Sequence, residues 1–112
     1  MSELLEILVK TMDKHHAQRI QVLDFHGVSS SYDYFVIATA SNSRLAWAMV
    51  DYIEEELKLH GLTVRSIEGN PQSRWILVDC YDVVVHLFVN EEREVYQLDK
   101  LWGDLPQVKV EL

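Results

Sequence analysis

The sequence predicts one α+β domain over residues 1–112, with a mixed β-sheet flanked by helices in the order α-β-β-α-β-β-β-α. Three observations point to this class. Segments with helical apolar spacing are interspersed with short β-branched runs. A length of 112 residues fits a single domain. No repeat, low-complexity tract or Pro/Gly-rich linker divides the chain.

The amino-terminal part of the chain contains a predicted helix and a predicted strand. The helix, 2–15, has Ser2 as its N-cap candidate, acidic residues in its first turn and an apolar stripe at helical spacing. The segment 19–25 alternates between polar and apolar residues, which predicts a strand, and 26–31 is the loop that follows it.

The central part contains a second strand and a long helix. The β-branched and aromatic run 34–39 predicts a strand that is buried on both faces. The small polar residues 41–43 offer caps for a helix that ends near His60, with Gly61 as its stop. Trp47 lies on this helix away from the apolar stripe. Its ring either covers the edge of a neighbouring element or contacts a second copy or another partner.

The carboxyl-terminal half contains three further strands and a helix. The strands are 63–68, 74–79 and 82–88, and the amphipathic helix is 91–102. The second and third of these strands are close enough in sequence to form a hairpin.

The register of this hairpin decides which side chains share a face. A two-residue loop at Cys80 and Tyr81 is expected, although such a turn usually has glycine at the position of Tyr81. Five cross-strand pairs follow: Asp79 with Asp82, Val78 with Val83, Leu77 with Val84, Ile76 with Val85 and Trp75 with His86.

Alternation along the two strands then defines two faces. The aliphatic face is expected to pack on helices: Ile76, Val78, Val83, Val85 and Leu87. The other face is aromatic at one end and acidic at the other: Trp75, Leu77, Asp79, Asp82, Val84, His86 and Phe88.

Four side chains of the second face are candidates for function. Two opposed carboxylates destabilise a sheet, so Asp79 and Asp82 either cap a turn in water or contact a cationic partner. Trp75 is either a core residue or the anchor of an interface. His86 beside it is expected to be a packed, hydrogen-bonded histidine rather than a catalytic base.

The charge and the single cysteine narrow the class of partner and the compartment. The chain has 18 acidic and 10 basic residues, a net charge of −8, which disfavours generic nucleic-acid binding and favours a basic partner. With Cys80 alone, no intramolecular disulfide forms, which fits a reducing compartment. The sequence contains no secretory signal and no apolar run of the ~20 residues that a membrane span needs, so the cytoplasm is expected.

Known catalytic and metal-binding motifs are missing from the sequence. There is no glycine-rich phosphate loop, and the adjacent His15 and His16 do not have the spacing of a zinc pair. Asp79 and Asp82 lack an obvious third ligand for a metal, and Cys80 has no nucleophile signature. We therefore expect a protein without cofactor or metal that is not an enzyme.

Five separated blocks carry a resemblance to a known family. They are Tyr32–Arg44, Glu68-Gly69, Trp75–Asp79, Asp82–His86 and Tyr96–Trp102. Together and in this order they resemble the ribosomal silencing factor family, also called the Iojap family, over nearly the whole chain. One departure is Tyr81, where the family usually has glycine.

The resemblance implies a fold related to nucleotidyltransferases, without their catalytic Gly-Ser and carboxylate motif. It implies a protein that docks on the large ribosomal subunit through large-subunit ribosomal protein fourteen, blocks joining of the small subunit, represses translation and forms a homodimer when free. The partner-binding residues expected on this basis are Trp75, Leu77, Asp79, Asp82, His86, Tyr96 and Lys100. The rival hypothesis is a nucleotidyltransferase-like enzyme that uses Asp79 and Asp82 with a divalent metal.

Overall fold

Five strands form one mixed sheet, and two helices pack on one of its faces, in a computed structural model that describes residues 2–90, 92 and 104–109. The elements in chain order are α1 (Glu3–Lys14), β1 (Gln18–Asp24), β2 (Tyr34–Ala40), α2 (Ser43–Leu59), β3 (Ser66–Glu68), β4 (Trp75–Asp79) and β5 (Val83–Val89). The predicted α+β class is confirmed. The predicted last helix, 91–102, lies outside the described residues except at position 92.

The ends of both helices follow from local sequence. The Ser2 side chain caps α1 by accepting the Leu5 N–H at 3.1 Å. The Asn42 side chain caps α2 by accepting the Leu45 N–H at 2.8 Å. Gly61 follows the end of α2 with a φ of 72°, a conformation that glycine adopts without strain.

The sheet has the order β1-β2-β5-β4-β3. β2 and β5 are parallel neighbours in its centre, and the other pairs are antiparallel. The outer edge of β1 is partly covered by a later segment, since the Asp24 N–H donates to the Pro106 carbonyl at 2.8 Å and the Val108 N–H to the Val22 carbonyl at 2.9 Å. Within the described residues, neither helix has both the length and the apolar character that crossing a membrane requires.

The predicted hairpin register is wrong by two residues. The Cys80 N–H donates to the Val83 carbonyl at 2.9 Å, so the two-residue loop is Tyr81-Asp82 rather than Cys80-Tyr81. Cys80 is only 1% exposed, and its burial in the core extends the hairpin by one residue beyond β4. The observed pairs are Trp75 with Phe88, Ile76 with Leu87, Leu77 with His86, Val78 with Val85 and Asp79 with Val84.

The predicted faces are nevertheless confirmed for the strand residues, because a shift of two residues leaves the alternation unchanged. Asp82, which was predicted on a strand, lies in the turn. The aliphatic face packs on both helices in one continuous core. Its fully buried members include Val36, Ala38, Ile76, Val78, Val85 and Leu87 from the sheet and Leu5, Leu8, Met49, Ile53 and Leu57 from the helices. Trp47 is half-buried against this core. The sheet therefore presents its second face away from α1 and α2.

A candidate docking surface on the aromatic face of the sheet

The face of the sheet opposite the helices, called the aromatic face below, joins four strands. Its register places Phe35 and Ile37 of β2 beside His86 and its neighbours on β5, while β1 adds Leu23. Its members are Leu23, Phe25, Phe35, Ile37, Trp75, Leu77, Asp79, Val84, His86 and Phe88. This concentration of rings is the chemistry of a binding surface or of a small second core.

Trp75 is held in one orientation on the aromatic face. It is half-buried, its ring stacks on Phe88 with centroids 5.0 Å apart, and its Nε1–H donates to Nδ1 of His86 at 3.2 Å. The predicted contact with His86 exists, although Phe88 is the cross-strand partner. The indole is thus fixed by its neighbours while part of it stays accessible, as an interface anchor requires.

His86 supports Trp75 from the middle of the sheet. It is 4% exposed, and burial lowers the pKa of its imidazole to about 4. The ring is therefore neutral near pH 7, and in the tautomer that carries its proton on Nε2, Nδ1 accepts the Trp75 N–H. The interpretation of His86 as a packed, hydrogen-bonded histidine is confirmed.

Asp79 is bound within the chain rather than presented to solvent. Its Oδ2 accepts from the Arg65 guanidinium at 2.8 Å and from the Tyr32 hydroxyl at 3.4 Å, and its Oδ1 accepts the Tyr81 N–H at 2.9 Å. Its side chain is 11% exposed. The hydrogen bond to Asp79 raises the pKa of Arg65. A cation from a partner would have to compete with Arg65 for this carboxylate.

Asp82 differs from Asp79 because its side chain is exposed at the hairpin turn. Its carbonyl accepts the N–H groups of Asp33 at 2.7 Å and Tyr34 at 3.2 Å, which fixes the backbone of the turn to the start of β2. Its carboxylate makes no hydrogen bond or ion pair with the described residues. The two aspartates do not face each other, because Asp79 pairs with Val84.

The loop between β1 and β2 brings a third carboxylate to the same end of the sheet. The His26 ring lies between Asp24, whose Oδ1 is 2.6 Å from Nδ1, and Asp33, whose Oδ1 is 3.3 Å from Nε2. The His26 backbone N–H and then its ring lower the pKa of Asp24. Asp33 is thereby held beside the hairpin turn with its side chain 45% exposed.

The structure brings together five of the seven predicted contact residues. Trp75, Leu77, Asp79 and His86 share the aromatic face, and Asp82 lies at the turn that ends it. Tyr96 and Lys100 lie outside the described residues.

Sequence reasoning missed Arg65 and Tyr32. The pairs they form with Asp79 span 14 and 47 residues. No local signal marks such contacts.

The described residues offer little for catalysis or metal binding. Among them no group of three or more His, Cys, Asp or Glu side chains could hold a metal ion. Cys80 is buried, and burial raises the pKa of its thiol to about 12, so it is not a nucleophile near pH 7. The fold and this face define the class: a small α+β domain whose distinctive surface has the chemistry of a binding module.

The chain belongs to the ribosomal silencing factor family. The family model described as "Ribosomal silencing factor during starvation" matches residues 1–112. The resemblance of the sequence blocks to this family is thereby confirmed.

Relatives and solved structures agree with this assignment. The chain is 36% identical to ribosomal silencing factor RsfS of Halalkalibacterium halodurans, covering 97% of this chain and 93% of that one. It is 39% identical to ribosomal silencing factor RsfS of Bacillus subtilis, covering 92% of this chain and 87% of that one. A mouse relative named mitochondrial assembly of ribosomal large subunit protein 1 is 34% identical over 88% of this chain and 44% of its own. A crystal structure of a Bacillus halodurans protein matches with a TM-score of 0.84 and 33% identity, covering 96% and 98%.

Proposed function

We propose that this ribosomal silencing factor docks on the large ribosomal subunit through large-subunit ribosomal protein fourteen, and that it represses translation by blocking joining of the small subunit. The observation that carries the proposal is the half-buried Trp75, whose indole His86 and Phe88 hold in one orientation on the aromatic face. The chain around it has a net charge of −8. A face with an oriented aromatic anchor at one end and an exposed carboxylate at the other suits a basic protein partner.

The names of relatives support the choice of the large subunit. The mouse relative is named for the assembly of the large ribosomal subunit, and the bacterial relatives are named for silencing ribosomes. A silencing factor on the large subunit needs no chemistry if it occupies the surface where the small subunit would bind.

The proposed contact residues have different tasks. Trp75 and Leu77 are half-buried and Asp82 is exposed, so these three contact the partner. His86 orients the Trp75 ring, and Asp79 fixes the hairpin turn. The proposed set also includes the two residues outside the described part of the chain, Tyr96 and Lys100.

Two measurements test this function. The protein should co-sediment with isolated large subunits and not with small subunits. Added before mixing at constant magnesium, it should lower the yield of joined ribosomes in a sucrose gradient. Binding to small subunits alone, or an unchanged yield of joined ribosomes at saturating protein, would contradict the proposal.

We also propose that the free protein is a homodimer and that it acts in the cytoplasm, where ribosomes translate. Sedimentation equilibrium over a range of concentrations tests the dimer. A single species with the 13.1 kDa mass of one chain at all concentrations would contradict it.

Reversal of the charge at Asp82 should slow docking. We expect Asp82→Lys to lower the association rate with large subunits by about three- to tenfold at low salt, because it repels a basic partner. The difference should shrink as salt screens the charges. Asp51→Lys, the same change at an exposed site on α2, is the control. Equal slowing by both variants would remove Asp82 from the contact.

The rival hypothesis of a nucleotidyltransferase-like enzyme makes a different prediction. Asp79 is already bound to Arg65, so a divalent metal would have to displace that guanidinium. We therefore expect no saturable binding of nucleoside triphosphates with magnesium by calorimetry, and no turnover. Nucleotide turnover that Asp79→Asn abolishes would establish the enzyme instead.

A further inference from the structure

Tyr81 is the conformational outlier at the end of the aromatic face. It occupies the first loop position of the hairpin with a φ of 74° and remains 48% exposed. A left-handed φ is unfavourable for an aromatic residue, and turns of this kind usually place glycine there. Strained residues persist where their surroundings hold them, and they concentrate at functional sites.

The surroundings of Tyr81 hold it through Asp79 and Arg65. Its N–H donates to Oδ1 of Asp79 at 2.9 Å, while the Arg65 guanidinium carbon lies over its ring, 5.2 Å from the centroid. Arg65 is itself bound to the same carboxylate at 2.8 Å. One side of the Tyr81 ring is thus held by contacts within the chain, and the rest of the ring is exposed to solvent.

The charge near the Tyr81 ring is negative once internal pairs are counted. The positive charge of Arg65 is balanced by Asp79. The exposed Asp82 carboxylate is next in sequence and has no such partner among the described residues. The half-exposed Asp33, which the His26 ring contacts at 3.3 Å, also lies beside the turn. An accessible aromatic ring next to carboxylates attracts cations and repels phosphate or carboxylate groups.

We propose that the Tyr81-Asp82 turn receives a lysine or arginine side chain of the protein partner on the large subunit. The cation lies on the exposed part of the Tyr81 ring and opposite the Asp82 carboxylate. This inference rests on the proposed function. It adds Tyr81 to the contact residues, at a turn position where glycine is usual. The strained tyrosine then serves binding at the expense of stability.

Variants at position 81 separate a role in binding from a structural role. Tyr81→Asn removes the ring but tolerates a left-handed φ, and it changes no charge. We expect it to bind large subunits about fivefold more weakly, about 1 kcal/mol at 1.4 kcal/mol per tenfold. Tyr81→Phe keeps the ring and should bind within about twofold of the unmodified chain. Tyr81→Gly should unfold at a higher temperature and still bind as weakly as Tyr81→Asn.

A double-mutant cycle tests whether one cation is shared. If Tyr81 and Asp82 contact the same side chain, Tyr81→Asn and Asp82→Asn together should weaken binding less than the product of the two single effects. Asp51→Asn is the control for loss of one acidic charge.

The possible results are distinguishable. If the unmodified protein fails to bind large subunits, the proposed function fails with this inference. If the unmodified protein binds, and both Tyr81→Asn and Tyr81→Gly bind as tightly as it does, only the role of Tyr81 is overturned. If the double variant loses affinity by the full product of the two single losses, Tyr81 and Asp82 do not contact the same cation.

Discussion

Replacing Trp75 with alanine is expected to weaken binding to the large ribosomal subunit by at least about thirtyfold while the domain stays folded. Losing an oriented aromatic anchor costs ~2 kcal/mol or more of binding free energy, and each ~1.4 kcal/mol is a factor of ten. The indole is half-buried, so the free energy of unfolding should fall by about 2 kcal/mol, less than the ~3–5 kcal/mol of a fully buried tryptophan.

Trp47 provides the matched control for this experiment. It is also half-buried, but it packs against the helix-side core. Trp47→Ala should therefore lower stability to a similar extent and leave binding unchanged. Affinity for large subunits would be measured by co-sedimentation and stability by urea unfolding. Equal losses of affinity in the two variants would mean that general destabilisation, not the loss of an anchor, causes the effect.

Trp75→Phe tests the contribution of the aromatic ring separately from that of the indole N–H. Phenylalanine keeps an aromatic ring next to Phe88 but cannot donate to His86. We expect an intermediate affinity, because the contact area is largely kept while the orientation of the ring is lost. If Trp75→Ala proves stable and fully active in binding, the aromatic face is not the docking surface.

Local chemistry predicted most of the fold. The caps Ser2 and Asn42 are short-range features, and each bonds to an N–H three residues ahead. The division of β4 and β5 into an aliphatic and an aromatic face follows from strict alternation, which holds for any even shift of register. These predictions needed no knowledge of distant contacts, and the structure confirms them.

The turn register could not be obtained from local preference, because tyrosine is unfavourable at a left-handed φ. That preference disfavours Tyr81 in the predicted Cys80-Tyr81 loop, yet the structure keeps Tyr81 in the loop, now as its first residue. The burial of Cys80 and the long-range bonds from Asp33 and Tyr34 to the Asp82 carbonyl stabilise this turn. Tertiary contacts here outweigh the intrinsic preference of one residue.

The sequence predicted which residues form the candidate site but not the hydrogen bonds and ion pairs between them. Trp75, Leu77 and His86 were correctly placed on one face. The ion pair of Asp79 with Arg65 was missed, since the residue that supplies the guanidinium lies 14 positions earlier in the chain, just before β3. As a consequence, the two aspartates that the sequence made equivalent differ in the structure: Asp79 is bound to Arg65, whereas Asp82 is exposed at the turn.

Acidification from pH 7 to pH 5 is expected to destabilise the protein through His86. Burial lowers the pKa of this imidazole from 6.5 to about 4. An unfolded chain therefore binds a proton near pH 6.5, whereas the folded chain binds one only near pH 4. Between these values the unfolded state holds more protons, so stability is full above about pH 6.5 and falls as the pH is lowered towards 4.

The size of this effect is about 3 kcal/mol over the whole interval and about 2 kcal/mol by pH 5, at 1.36 kcal/mol per pKa unit. Urea unfolding at pH 7 and pH 5 measures it. His86→Phe should lose most of this pH dependence, even though it removes the acceptor of the Trp75 N–H and so lowers stability at pH 7. His60→Gln, at an exposed histidine on the helix side, should retain it. An equal loss of stability between pH 7 and pH 5 in the unmodified protein and in His86→Phe would show that His86 is not the titrating group, and that its imidazole is better hydrated than its burial indicates.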